Sequence, residues 1–199
     1  MNATSTVVLS DEALVRAFAE DGDRASFELL VERYKHEIYN YLRRYLADDA
    51  MAEDAFQTTF IRVFQKSVQF DASRKFRPWL YGIATHQAID LKRRSKRRSF
   101  QSLDIQSSSS DSRESTHAAN IADYRQSTVD PLERAELRSR MEAAIEEVGE
   151  PGRSALELVY LQGLPYRDAA EILGVPVGTV KSRVHSAIRK LSAIWQRNN

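Results

Sequence analysis

Residues 164–191, LPYRDAAEILGVPVGTVKSRVHSAIRKL, constrain the fold more than any other stretch of the chain. The pattern is two short helices broken at Gly174-Val175-Pro176. Tyr166, Ala169, Ala170, Ile172 and Leu173 give the first helix an apolar side. Gly174 suits the left-handed backbone that ends a helix, and Pro176 blocks simple continuation. In the second helix Val177, Val180, Val184, Ala187, Ile188 and Leu191 fall on one side. Lys181, Ser182, His185 and Arg189 fall opposite, with no acidic residue among them. A helix-turn-helix needs this arrangement, with one face packed on its own domain and the other entering a DNA major groove. The plain alternative is a surface helix pair with a polar outer face. Turn, spacing and charge sign together favour the DNA-reading form.

The net charge of +1 excludes a uniformly basic, histone-like protein, but the charge is segregated. Residues 177–199 hold Lys181, Arg183, Arg189, Lys190 and Arg197 without an Asp or Glu, and Glu133, Glu136, Glu142, Glu146, Glu147 and Glu150 precede them. Local fields of opposite sign matter more than the sum. Without cysteine there are no disulfides or thiolate metal sites, which fits a reducing compartment. The N-terminus lacks a basic region followed by an apolar run, so no signal peptide is expected. No window approaches the roughly 20 apolar residues of a membrane span. A cytoplasmic protein without membrane insertion is expected.

The periodicity predicts an all-α fold of two small helical domains joined by a flexible linker. Residues 1–22 form a short helix capped by Ser10 and ended by Gly22. Residues 23–98 form the first domain. Its helices carry Phe27, Leu30, Val31, Tyr34, Ile38, Tyr41, Leu42 and Tyr45; then Ala52, Ala55, Phe56, Thr59, Phe60 and Val63; then Trp79, Leu80, Ile83, Ala84, Ala88 and Leu91. Pro78 suits a first helical position. Residues 99–130, serine-rich and without helical period, read as the linker. Residues 131–199 form the helix-turn-helix domain, with Leu132, Leu137, Met141, Ala144, Ile145 and Val148 on one helix and Leu156, Val159 and Tyr160 on another.

The fourth helix ends in Lys92-Arg93-Arg94-Ser95-Lys96-Arg97-Arg98, six cations in seven residues. Upstream, Arg74, Lys75 and Arg77 flank Phe76 and Trp79. Cations interleaved with aromatics suit single-stranded nucleic acid, whose phosphates need charge and whose bases need flat surfaces. Core packing is the competing reading for Phe76 and Trp79, and it is the stronger one for Trp79. A solvated helix end is the competing reading for the basic run, but six cations exceed what a helix dipole calls for.

The stretch FDASRKFRPWLYGIATHQAIDLKRR, with DDAMAEDAFQTTFIRVF before it and GLPYRDAAEILGVPVGTVKSRVHSAIRKL after it, resembles a bacterial RNA polymerase sigma factor. The resemblance is to the extracytoplasmic-function (ECF) group, which keeps two helical domains and a linker, and it covers about residues 20–98 and 131–195. It implies a chain that binds core RNA polymerase through the β′ clamp helices and the β flap. Promoter DNA would be its other partner, and an anti-sigma factor a further one. It implies no catalytic residue, cofactor or metal. Asp49, Glu53, Asp54, Gln57 and Phe60 match the clamp-docking helix, although capping and an exposed polar face would also explain its acids. Arg74, Lys75, Phe76, Arg77, Trp79, His86, Lys92, Arg93, Arg94 and Arg97 match the element that opens the −10 region and captures a flipped base. Unstacking that base costs a few kcal/mol, which aromatic and cationic groups would offset. Lys181, Ser182 and His185 match the readers of the −35 duplex, with Thr179, Arg183 and Arg189 on phosphates. Many relatives carry Arg-Asn where this chain has Thr85-His86, and His185 is an unusual guanine reader.

Two other classes compete. A homodimeric helix-turn-helix regulator would use the first domain for dimerisation or sensing, but needs neither the basic aromatic segment nor the acidic helix. An enzyme would need a site motif. His36, His86, His117 and His185 are scattered without ligand spacing, and no Walker or GxSxG loop occurs.

Overall fold

The computed structural model describes residues 9–103, 143–145 and 147–197. Every regular element among them is helical, and they belong to two compact units. From residue 104 the segment read as a linker lies outside the described residues, as does the helix expected to open at Pro131 up to residue 142.

The first unit contains α1 (Asp11–Asp21), α2 (Arg24–Leu46), α3 (Asp49–Lys66), a 3₁₀ turn (Ser67–Gln69) and α4 (Phe76–Leu103). Its helix starts follow local chemistry. Ser10 Oγ accepts from Ala13 N–H at 3.2 Å, Asp23 Oδ1 from Ala25 N–H at 3.1 Å, and Asp48 Oδ1 from Met51 N–H at 2.7 Å. Ser26 also donates to Asp23, and that bond, the largest influence, holds the Asp23 carboxyl below its ordinary range. Gly22 ends α1 at φ 69°. Ala47 ends α2 in the same left-handed region at φ 55°, without the glycine that the conformation favours.

Leu14, Val15, Leu30, Ile38, Tyr41, Leu42, Ala52, Val63, Phe76 and Leu80 fill the core, none more than 1 % exposed. Leu14, Val15 and Phe18 of α1 are buried in it, because α1 packs on α2, the 3₁₀ turn and α4. Residues 1–22, read as a separate piece, therefore include a helix belonging to the first unit. Two further differences concern the ends of α4. Pro78 is the third residue of α4, where its missing N–H still costs nothing. Residues 99–103, assigned to the linker, continue that helix.

The second unit contains helical residues 143–145 and 147–148, α5 (Glu150–Leu156), a π turn (Glu157–Leu161), α6 (Tyr166–Leu173) and α7 (Val177–Arg197). Its core gathers Ala155, Leu158, Leu164, Ala169, Val180, Val184 and Ala187. The spacing of Leu156, Val159 and Tyr160 predicts one regular helix. The π turn widens that helix, leaving Tyr160 and Leu161 exposed while Glu157 is buried and accepts from Gln162 Nε2 at 3.1 Å. α5 and α7 cross closely at Gly152, where an added Cβ would meet Val148 at 2.8 Å and Ala187 at 3.4 Å. Gly174 closes α6 at φ 62°.

Candidate nucleic-acid interface

On α7, Lys181, Ser182, His185 and Arg189 are exposed, and Val180, Val184, Ala187 and Ile194 are buried behind them. Helical phase puts the four polar residues within about 100° of arc, and Thr179 and Arg183, both half-buried, lie together beyond Ser182, between that face and the buried stripe. The Ser182 hydroxyl donates to the Thr179 carbonyl at 3.0 Å, so its oxygen lone pairs remain for an incoming donor. One expectation needs correction. Val177 and Ile188, both expected on the packed side, are each 37 % exposed because they lie at the edge of the apolar stripe, while Ile194 is buried within it. Lys190 and Arg197 turn toward their own unit: Lys190 Nζ reaches the Val148 carbonyl at 3.4 Å and Arg197 pairs with Glu147 at 3.3 Å.

In the first unit the basic aromatic segment separates into two sets. Trp79, His86, Arg93 and Arg97 recur at seven- and four-residue steps, so they follow one line along α4, with Asp90 beside Arg93. Trp79 is half-buried, and the other three are exposed. Asp90 and Arg93 pair at 3.2 Å on this surface, a contact of small energetic weight. Arg74 and Lys75, in the preceding loop, and Arg94 are also exposed.

The second set faces inward. Phe76 is 0 % exposed, its ring 5.6 Å from Tyr34, 5.9 Å from Phe70 and 5.8 Å from Trp79. It supports the loop and presents no ring to a base. Arg77 donates to Glu37 Oε1 from Nε at 2.8 Å and from Nη2 at 2.6 Å, and lies over the Tyr81 ring at 5.1 Å. It is a strut between α2 and α4. Desolvation, the largest influence, lowers the Arg77 pKa, but Glu37 raises it on balance. Tyr81 also donates to Glu37, at 2.8 Å, and burial first, then this carboxylate, raises the Tyr81 pKa. Lys92 lies over the Tyr45 ring at 4.9 Å on the same inner side. Thr85, one of the positions departing from the Arg-Asn of relatives, is fully buried and shares a 2.7 Å hydrogen bond with Tyr41, whereas His86 is exposed.

The loop leading to α4 is ordered by its own contacts. Asp71 Oδ1 accepts from Ser73 N–H at 2.9 Å, and Arg74 N–H donates to the Asp71 carbonyl at 2.9 Å. Hydrogen bonds from Ser73, side chain first and backbone next, hold the Asp71 carboxyl low. Phe70 packs at a tilt against Trp79, ring centroids 5.0 Å apart.

On α3, Glu53, Asp54 and Gln57 are exposed on one face, with Gln57 Nε2 donating to Glu53 at 2.8 Å. Asp49 pairs with Arg43 at 2.7 Å. Phe60 is only 8 % exposed, since it packs edge-on against Phe56 in the interior, so it is not a surface contact. Sequence reasoning missed the apolar end of this exposed face, where Ile61, Phe64 and Val68 are 56 %, 48 % and 71 % exposed. Helical phase places Ile61 and Phe64 in line with Gln57 and Glu53, a signal that the sequence already carried. Among the described residues no group of His, Cys, Asp and Glu could hold a metal, and no helix is long and apolar enough to cross a membrane.

Two basic faces, each on its own helical unit, define a two-module DNA-binding protein. Residues 30–98 match Sigma-70 region 2, and residues 138–191 match Sigma-70 region 4. The RNA polymerase sigma-H factor of Pseudomonas aeruginosa is 33 % identical over 181 residues, covering 89 % of either chain. The ECF RNA polymerase sigma factor SigW of Bacillus subtilis is 34 % identical over 172 residues, 85 % of this chain and 90 % of that one. Among solved structures, CnrH in complex with the cytosolic domain of CnrY has the same fold, with a TM-score of 0.67 at 23 % identity over 95 % of this chain and 99 % of that one. So does the Bartonella quintana sigma factor RpoE in complex with the anti-sigma factor NepR, with a TM-score of 0.64 at 21 % identity over 87 % and 98 %.

The chain belongs to the ECF group of Sigma-70 RNA polymerase sigma factors. It directs core RNA polymerase to promoters at transcription initiation, and it is not an enzyme. The homodimeric regulator finds no support in these relatives.

Proposed function

We propose that the two units read two elements of one promoter while both are held by core polymerase. Lys181, Ser182 and His185 contact base edges of the −35 duplex, and Thr179, Arg183 and Arg189 contact its phosphates. Arg74, Lys75, Trp79, His86, Arg93, Arg94 and Arg97 engage the opened −10 strand, with Trp79 as the stacking surface and Lys92 at the inner margin. The exposed face of α3 docks on the β′ clamp helices, with Asp49, Glu53, Asp54 and Gln57 at a polar end and Ile61, Phe64 and Val68 at an apolar end. The second unit meets the β flap. Cytoplasm is the compartment this role requires, and an anti-sigma factor is a further partner, as in the RpoE–NepR complex.

One observation carries the reading: the exposed face of α7 offers Lys181, His185 and Arg189 without an acid, opposite the buried stripe of Val180, Val184, Ala187 and Ile194. Holding both units on one polymerase turns two weak DNA contacts into one selective one through effective concentration. The test is reconstitution with core RNA polymerase and mapping of transcription starts on genomic DNA. Starts at a defined set of promoters are expected. Tight, selective promoter binding by the chain alone, or no initiation with core, would overturn the proposal.

A further inference from the structure

α1 precedes the first matched segment, which begins at residue 30, yet it touches the loop that ends at Phe76. Asp11 fixes the start of α1 on α2. Arg33 Nη1 donates to one of its oxygens at 2.8 Å and the Tyr34 hydroxyl to the other at 2.5 Å. The next residue, Glu12, reaches α4: its Oε1 accepts the backbone N–H of Phe76 at 3.1 Å, 64 positions further on, and lies 4.0 Å from Lys75 Nζ. That N–H is among the first four of a helix, which have no acceptor within it. A carboxylate there also meets the positive end of the helix dipole. The loop thus has two fixed junctions, Phe70 packed at a tilt against Trp79 at one and Phe76 capped by Glu12 at the other.

Resting on the −10 role proposed for this loop, we infer that Glu12 is a positioning residue for promoter opening. Its carboxylate sets the start of α4, and with it the angle at which the loop and Trp79 meet an unstacked base. α1 is then part of the strand-capturing device although it need touch no DNA. Core association and −35 binding use other faces and do not depend on it.

The experiment compares holoenzymes reconstituted with the wild-type chain, Glu12→Gln, Glu12→Ala and Trp79→Ala. Permanganate reactivity of −10 thymines reads opening, and separate titrations read core affinity and −35 duplex affinity. Loss of a side-chain cap predicts roughly a two- to thirty-fold fall in the opening equilibrium for Glu12→Ala. Glu12→Gln should fall less, because the amide oxygen still accepts while the charge is gone. Core and −35 affinities should stay at wild-type values. Graded loss of opening alone, with loss in Trp79→Ala too, supports the inference. Loss in Trp79→Ala but not in the Glu12 variants overturns the inference and leaves the −10 reading standing. Loss in neither overturns both. Parallel loss of core affinity in the Glu12 variants would mark a merely structural residue and also overturn it. If Glu12→Ala does not fold, Glu12→Gln decides by the same comparison.

Discussion

Replacing Glu37 by alanine tests whether α2 braces α4. One carboxylate oxygen accepts three hydrogen bonds there, two from Arg77 and one from Tyr81. Exposed ion pairs contribute about 0–1 kcal/mol, while breaking a fully buried pair costs about 3–5 kcal/mol. The side chains of Arg77 and Glu37 are 33 % and 34 % exposed, which places this pair toward the lower figure. Tyr81, fully buried, also loses a charged acceptor, adding about 1 kcal/mol. Glu37→Ala should therefore cost about 2 kcal/mol, or about 8–16 °C in Tm for a unit of this size. Glu37→Gln keeps an acceptor oxygen and should cost about half as much. The chain has two tryptophans, Trp79 in the first unit and Trp195 in the second. In a Trp195→Phe background, Trp79 fluorescence during urea titration reports the first unit alone. Equal losses for the two substitutions, or a loss under about 0.5 kcal/mol for alanine, would refute the reasoning.

Lys181→Ala should cost about 1–3 kcal/mol at one −35 base pair and relax preference there, measured by holoenzyme competition between matched and singly substituted sites. A loss shared evenly by all sequences would make Lys181 a phosphate contact. Arg94→Gln with Arg97→Gln should weaken DNA binding at every sequence and lower the salt slope by about 0.7–0.9 for each phosphate contact removed, read from filter binding across ionic strength. An unaltered slope would exclude both from the phosphate path. Ile61→Ala with Val68→Ala should reduce core affinity about tenfold in an anisotropy titration while leaving the melting curve in place. Wild-type affinity would remove the apolar end of α3 from the polymerase interface. Ala47→Gly should stabilise the first unit by about 0.5–1 kcal/mol, since glycine relieves a left-handed backbone at some entropic cost. Destabilisation in urea would contradict that conformation at Ala47.

What the sequence made legible is what short range encodes. Ser10, Asp23 and Asp48 cap helices from within a few residues. The apolar spacing of α2 and α7 is likewise local, and so is the glycine turn at Gly174. The errors lie where meaning depends on a distant partner. Arg77 reads as a DNA cation until Glu37, 40 positions earlier, claims it, and Phe76 reads as a stacking ring until Tyr34 covers it. Phe60 and Ile188 sit at stripe edges, where a rotation of some tens of degrees decides burial. α1 reads as a separate piece because its anchors, Arg33 and Phe76, lie on other helices. Ile61 and Phe64 escape a reading of inward positions because they form a second, outward apolar line.

α4 is 28 residues long, about 42 Å as a straight helix, and among its described side chains the buried ones all lie in its first half, between Phe76 and Ala88. It therefore works as a measuring rod, carrying Arg93, Arg94 and Arg97 at a set distance and bearing from the loop that ends at Phe76. One residue inserted after Arg94 would turn the rest of α4, Arg97 included, by about 100° and advance it by about 1.5 Å. Four would nearly restore the bearing while lengthening the rod by about 6 Å, so the reach and the facing of its basic end are separately adjustable.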